Sequence, residues 1–190
     1  MGESSKRDWR RSLRAERLQA LPAAEAGILA VARQELPGLL AKRPGRLGTY
    51  WPLAGEADLR DLGAALANRL ALPSVELGHL RYRAWRLAQP LEADACGIPA
   101  PLAVGPALDA NELALLLVPA LAVDGAGYRL GYGGGWYDRL RADPAWARVP
   151  ALAVLPAACR RQQLPRDPWD VPLAGWLSED GLHWCGSGPA

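Results

Sequence analysis

Residues 113–140 read LALLLVPALAVDGAGYRLGYGGGWYDRL, and this stretch decides the fold class. Leu113 to Val118 is apolar at every position and so has no solvent face. Such a run suits a central parallel strand covered by helices on both sides. Ala120 to Asp124 is expected to extend the strand, and Gly125 to Gly127 to turn the chain. Arg129 to Arg139, RLGYGGGWYDR, then leads into a short helix. Glycines at 131, 133 and 135 permit positive φ and leave backbone N–H groups unobstructed. Successive N–H groups ahead of a helix make a concave site suited to phosphate. Asp138 stands one step beyond, where a carboxylate can hold a Mg²⁺ that also touches phosphate oxygens. The spacing is neither the Gly-Lys-Ser/Thr phosphate loop nor the dinucleotide fingerprint. Two readings therefore stay open on spacing alone, a phosphate cradle and a tight glycine turn with a capping aspartate.

Outward from this stretch, helical and strand patterns alternate. Residues 5 to 20 predict an amphipathic helix with Arg7, Arg10, Arg11, Arg14 and Arg17 around Trp9 and Leu13. Pro22 is expected to break it and to open a second helix, Ala23 to Leu36, which Pro37-Gly38 ends. Arg46 to Leu53 reads as a strand, Ala57 to Leu70 as a helix and Leu72 to Glu76 as a strand. Gly78 to Leu87 reads as a strand or half of a hairpin, and residues 90 to 109 as a Pro- and Gly-rich loop. Val149 to Leu155 and Leu173 to Leu177 close the series as buried strands. This order predicts one α/β domain over residues 1–190, a central mixed and mostly parallel sheet with helices on both sides.

The 190 residues carry a net charge of +2, which gives no bulk electrostatic case for a nucleic acid or membrane partner. No run approaches the 18 or so apolar residues of a membrane span, and the charged N-terminus has no secretory apolar core. Cys96, Cys159 and Cys185 are odd in number and far apart, neither a disulfide framework nor a zinc pattern. A reducing, cytoplasmic setting is expected. His79 and His183 stand apart from any Cys or acidic cluster and read as surface or structural residues.

The run from Val118 to Arg139 resembles the signature of the 5-formyltetrahydrofolate cyclo-ligase (methenyltetrahydrofolate synthetase) family. That signature is a Val-Pro-Gly-Leu-Ala-Phe-Asp-like strand followed by Arg-Leu-Gly-x-Gly-x-Gly-x-Tyr-Asp-Arg. Val118, Pro119, Leu121, Ala122 and Asp124 match the first part; Arg129, Leu130, Gly131, Gly133, Gly135, Tyr137, Asp138 and Arg139 match the second. Flanking matches in the right order extend the resemblance over nearly the whole chain. It implies a three-layer α/β/α sandwich, most simply a monomer, that uses ATP and Mg²⁺ to close 5-formyltetrahydrofolate to 5,10-methenyltetrahydrofolate.

The resemblance also implies roles. Lys6 and Arg10 match the family's N-terminal basic motif and imply contact with ATP phosphates, although Arg7 and Arg11 have the same spacing. Arg129, Leu130, Gly131, Tyr132, Gly133, Gly134, Gly135, Trp136 and Tyr137 would line the ATP site. Tyr137 and Arg139 would serve the reacting centre, with Arg139 stabilising charge or pairing with Asp138. Tyr50-Trp51-Pro52 followed by Glu56 resembles the pterin-binding segment, so Trp51, Glu56, Gly133, Gly135 and Trp136 would contact the folate. A carboxylate accepts two hydrogen bonds from an aminopyrimidine edge. Asp138 and Asp170 would be the metal ligands, with Asp167 as a fallback. Ala100, Gly134 and Trp169 stand where the family has glutamate, lysine and histidine. These departures motivate an alternative, a folate- or nucleotide-binding protein without catalysis on the same fold.

Overall fold

The computed structural model describes residues 5–66 and 69–186. In chain order the elements begin with helix α1 (Lys6–Ala41), strand β1 (Arg46–Gly48), helix α2 (Leu62–Leu66) and strands β2 (Leu70–Glu76) and β3 (His79–Trp85). A small hairpin follows, β4 (Leu91–Ala93) and β5 (Pro99–Pro101), then β6 (Leu113–Pro119), β7 (Ala122–Asp124) and β8 (Arg129–Leu130). The chain ends with helices α3 (Trp136–Arg141) and α4 (Pro144–Arg148) and strands β9 (Ala151–Val154), β10 (Arg160–Arg161), β11 (Gly175–Ser178) and β12 (Gly181–Trp184).

The central sheet has seven strands in the order β12-β11-β9-β6-β1-β2-β3. The five inner strands run parallel; β3 and β12 pair antiparallel at the two edges. The fold is thus α/β with a mixed, mostly parallel sheet, as the alternation of elements predicted. Helices α1 and α2 pack on one face against Leu47, Leu70, Leu115, Leu117 and Leu152. The other face carries α3 and α4 over Tyr82, Leu116, Val118 and Ala153. In β6, Leu115 and Leu117 thus point one way and Leu116 and Val118 the other, which is why the strand is apolar throughout. A register shift opposite Arg46 and Leu47 places Ala114 and Leu115 on the same face.

Several expected elements differ. The two N-terminal helices are one, since Pro22 and Pro37 both lie inside α1. A proline in a helix interior costs about 3 kcal/mol. That cost is outweighed by an unbroken buried stripe, Leu13, Arg17, Leu21, Ala24, Ile28, Ala32, Leu36 and Leu40. Pro22 is exposed, so water can satisfy the carbonyl it frees. The expected strand after Arg46 stops at Gly48. The expected helix from Ala57 shrinks to Leu62–Leu66; residues 67 and 68 of it lie outside the described residues, and Leu70 opens β2 instead. The loop of residues 90 to 109 contains the β4–β5 hairpin. Ala122–Asp124 does not prolong β6 but enters a second sheet with β8 and β10.

From β1 the chain moves to β2 and β3 on one side, and from β6 to β9, β11 and β12 on the other. The switch point falls between β1 and β6. In open α/β sheets ligands bind beyond the carboxyl ends of the strands at such a point. Here those ends deliver Thr49–Trp51 and Pro119–Leu121.

Candidate active site

A cavity of about 390 Å³ opens at this switch point, within the usual range for small-molecule sites. Its walls include Tyr50, Trp51 and Glu56 from the segment after β1, Pro119 at the end of β6, and all residues from Arg129 to Asp138. Lys6 and Arg10 of α1, Asp167, Trp169 and Asp170 of the loop before β11, and Asp94 and Cys96 between β4 and β5 also line it. Every residue to which the resemblance gives a nucleotide, folate or metal contact therefore lies on one cavity, whereas Arg139 does not.

The basic stripe of α1 fixes the glycine loop. Lys6, Arg10, Leu13 and Arg17 are spaced by four, three and four residues, one face of a helix. Arg10 Nε donates to the Gly131 carbonyl at 3.0 Å, and Arg14 Nη2 to that of Tyr132 at 3.4 Å. Arg7 and Arg11 are exposed, so the register of the basic motif that reaches the cavity is Lys6/Arg10. Gly133 and Gly135 have φ of +107° and +65°, the left-handed region that only glycine enters without strain. A Cβ on Gly133 would meet Arg10 Nε at 3.7 Å, an ordinary contact, so it is the positive φ and not the space that calls for glycine here.

The base of the loop is held by a residue that the sequence marked only as part of the motif. Asp124 is fully buried. Its Oδ1 accepts from the N–H groups of Ala126 and Tyr128 at 3.0 and 3.1 Å. Its Oδ2 accepts from Leu164 N–H and Arg166 Nη2 at 3.3 and 3.0 Å. One carboxylate therefore closes the β7–β8 turn and ties it to the chain leading to Asp167.

Acidic groups sit on both sides of the loop. Arg129 Nη2 donates to Asp138 Oδ1 at 2.8 Å. The expected Asp138–Arg139 pairing does not form, because adjacent helical residues point apart. Arg139 instead lies over the Trp136 ring, 4.4 Å from its centroid, outside the cavity wall. Lys6 Nζ bridges Asp167 Oδ2 and Asp170 Oδ2 at 2.6 Å each, and Asp167 N–H also donates to Asp170 Oδ2 at 2.7 Å. Burial works to lower the Lys6 pKa, but the two carboxylates outweigh it and hold it above the ordinary lysine value.

At the opposite wall, Glu56 is buried with Oε2 accepting from Leu53 N–H at 2.9 Å. Burial pushes its carboxyl up, and the Leu53 N–H and the Arg17 guanidinium pull it back only in part. Trp51 meets Trp85 edge-on at 6.5 Å, and Arg60 lies 4.6 Å over its ring. Ala100 is buried in β5, opposite Glu92, and does not line the cavity. Trp169 is 68% exposed at the cavity mouth. Sequence reading missed the contributions of Tyr50, Asp94 and Arg17. Arg17 was legible in principle, since it shares the apolar stripe of Leu13 and Leu21, where a solvated arginine does not belong.

Among the described residues no three His, Cys, Asp or Glu side chains gather into a metal cage. Asp138 and Asp170 nonetheless fit Mg²⁺. That ion takes hard oxygen ligands, typically one or two carboxylates together with phosphate oxygens and water. Arg129 takes only one oxygen of Asp138, and Lys6 only one of Asp170.

The family model for the 5-formyltetrahydrofolate cyclo-ligase family matches residues 3–178. The chain belongs to that family. A curated 5-formyltetrahydrofolate cyclo-ligase from Haemophilus influenzae is 40% identical over 87 residues, 44% of this chain and 46% of the relative. One from Mycolicibacterium smegmatis is 35% identical over 107 residues, 45% of this chain and 55% of the relative. The matched stretches thus span about half the length of these curated relatives. The NMR structure of Aquifex aeolicus 5,10-methenyltetrahydrofolate synthetase superposes with a TM-score of 0.77 at 25% identity, covering 97% of this chain and 95% of that one. A Mycoplasma pneumoniae 5,10-methenyltetrahydrofolate synthetase shares the fold, with a TM-score of 0.66 at 18% identity over 93% of this chain and 99% of that one. No helix among the described residues of this family member is long and apolar enough to cross a membrane.

Proposed function

We propose that this family member converts 5-formyltetrahydrofolate to 5,10-methenyltetrahydrofolate with ATP as co-substrate, releasing ADP and phosphate. The observation that carries the proposal is that a glycine loop with three nearby cations and a buried carboxylate beside tryptophan share one cavity. Lys6, Arg10 and Arg129 would neutralise the triphosphate over Gly131–Gly135, with Leu130, Tyr132, Trp136 and Tyr137 walling the nucleotide. Glu56 would accept hydrogen bonds from the pterin while Trp51, Gly133, Gly135 and Trp136 pack its rings. Asp138 and Asp170 would hold Mg²⁺, which when bound offsets charge on the phosphate oxygens.

The chemistry asks mainly for positioning and charge neutralisation. The formyl oxygen attacks the γ-phosphorus, and the P–O bond to ADP breaks. Phosphorylation turns that oxygen into a leaving group. The second folate nitrogen then attacks the formyl carbon, and phosphate departs as the ring closes. No covalent enzyme intermediate is needed. The cavity wall carries one thiol, Cys96, which burial and Asp94 keep above the ordinary thiol pKa and so protonated. Tyr137 is likewise held neutral by burial, fitted to donate a hydrogen bond at the reacting centre. Arg139, stacked on Trp136, would act on the reaction only by steadying that ring.

The test is Asp138→Ala assayed for methenyltetrahydrofolate absorbance with ATP and Mg²⁺. Turnover should be abolished while the circular dichroism spectrum is kept. Full activity in this variant would sink the site assignment.

A further inference from the structure

We propose that Arg17, behind the cavity wall, is a positioning residue that holds Glu56 as a charged carboxylate for recognition of the substrate's pterin ring. The inference rests on the reading of Glu56 given above.

Both side chains are almost fully buried, at 3% and 2% exposure, with Arg17 Nη2 4.0 Å from Glu56 Oε1. Arg17 Nη1 donates to the Ala120 carbonyl at 2.9 Å, and its guanidinium lies 5.0 Å over the Tyr132 ring. One side chain therefore touches the β6–β7 junction, the glycine loop and the pterin carboxylate together. Arg17 does not itself line the cavity, so it makes no contact with a ligand there.

The groups that face Glu56 are Arg17 from α1, Tyr50 from the segment after β1 and Tyr137 from α3. Tyr50 spends its hydroxyl on the Ala57 carbonyl, and burial keeps both phenols neutral. Among the described residues Arg17 is thus the full positive charge opposite Glu56. A buried carboxylate deprived of its cation takes up a proton instead. A protonated Glu56 would present an O–H to the N–H donors of an aminopyrimidine edge, and donor facing donor destroys the match.

The experiment measures binding of 5-formyltetrahydrofolate without ATP, by calorimetry from about pH 5 to 9, for wild type, Arg17→Met, Arg17→Lys and Glu56→Gln. Wild-type affinity should fall as pH drops through the Glu56 titration. Arg17→Met should move that fall to higher pH by about one unit, making binding about tenfold weaker below the midpoint and equal to wild type at high pH. Arg17→Lys should follow wild type, and Glu56→Gln should bind weakly with a flat profile. Arg17→Gln, which keeps a donor for the Ala120 carbonyl, replaces the methionine variant if circular dichroism shows that the latter is unfolded. An equal loss of affinity at every pH would reduce Arg17 to scaffolding and overturn the inference, as would a neutral variant superimposing on wild type or a lysine variant shifting like a neutral one. Absence of folate binding by the wild type at any pH would sink the functional reading and this inference with it; binding with unshifted profiles would sink the inference alone.

Discussion

Asp124→Asn isolates the buried carboxylate that ties the glycine loop to the rest of the site. The substitution preserves size and keeps Oδ1 for the Ala126 and Tyr128 amides. It puts an NH₂ where Oδ2 now meets two donors, Leu164 N–H and Arg166 Nη2. Rotating the amide only moves the conflict to the turn. Hydrogen bonds to a charged group are worth about 1.5–3 kcal/mol each, and an unsatisfied buried N–H costs about 1–3. The Arg166 side chain is 38% exposed and can turn to water, so its share is discounted for screening. The Leu164 amide is buried and cannot. The sum is about 2–4 kcal/mol. At roughly 2–4 °C per kcal/mol for a chain of this size, Tm should fall by about 4–16 °C. Thermal unfolding followed by circular dichroism reads this directly. A stability within about 0.5 kcal/mol of wild type would refute the reasoning.

Gly127→Ala should be more damaging, because a Cβ there would lie 2.2 Å from the Leu173 carbonyl oxygen at a φ of +84°; a loss above about 2 kcal/mol in urea unfolding is expected. Leu117→Ala empties a fully buried position in β6 and should cost about 2–5 kcal/mol with the urea m-value unchanged. Lys6→Ala should weaken Mg-ATP binding at least about tenfold by calorimetry, since it removes a cation from the phosphate wall. It should also lower stability at neutral pH. Lys6 has its pKa raised in the folded state, so its contribution is full below the ordinary lysine value and is lost as pH rises through the folded one. Melting curves of wild type and Lys6→Ala should therefore converge at high pH.

The centre of the fold was legible because its physics is local. Leu113 to Val118 has no polar residue to face water, which suits a strand covered on both faces. Residue type likewise permitted the positive φ values at Gly133 and Gly135, while Gly131, equally free to take one, does not. What escaped reading depends on partners distant in sequence. Pro22 and Pro37 looked like helix ends, and only the continuous contact of α1 with the sheet carries the helix through them. Edge strand β12 alternates poorly and is half-buried along its length, so it gave no period-two signal. Within the site, the cavity-facing stripe of α1 was visible as spacing, but which basic register faces inward became clear only from Lys6 meeting Asp167 and Asp170 more than 160 residues away. Arg17 was hidden by the habit of reading helical arginines as solvated.

The central claim is that one cavity joins phosphoryl transfer to ring closure. It is tested most directly by measuring methenyltetrahydrofolate and inorganic phosphate in the same reaction of purified protein with 5-formyltetrahydrofolate and Mg-ATP. The account predicts one phosphate per methenyl product, with neither formed when ATP or folate is omitted. ATP hydrolysis that is indifferent to folate, or no product from folded protein, would contradict it.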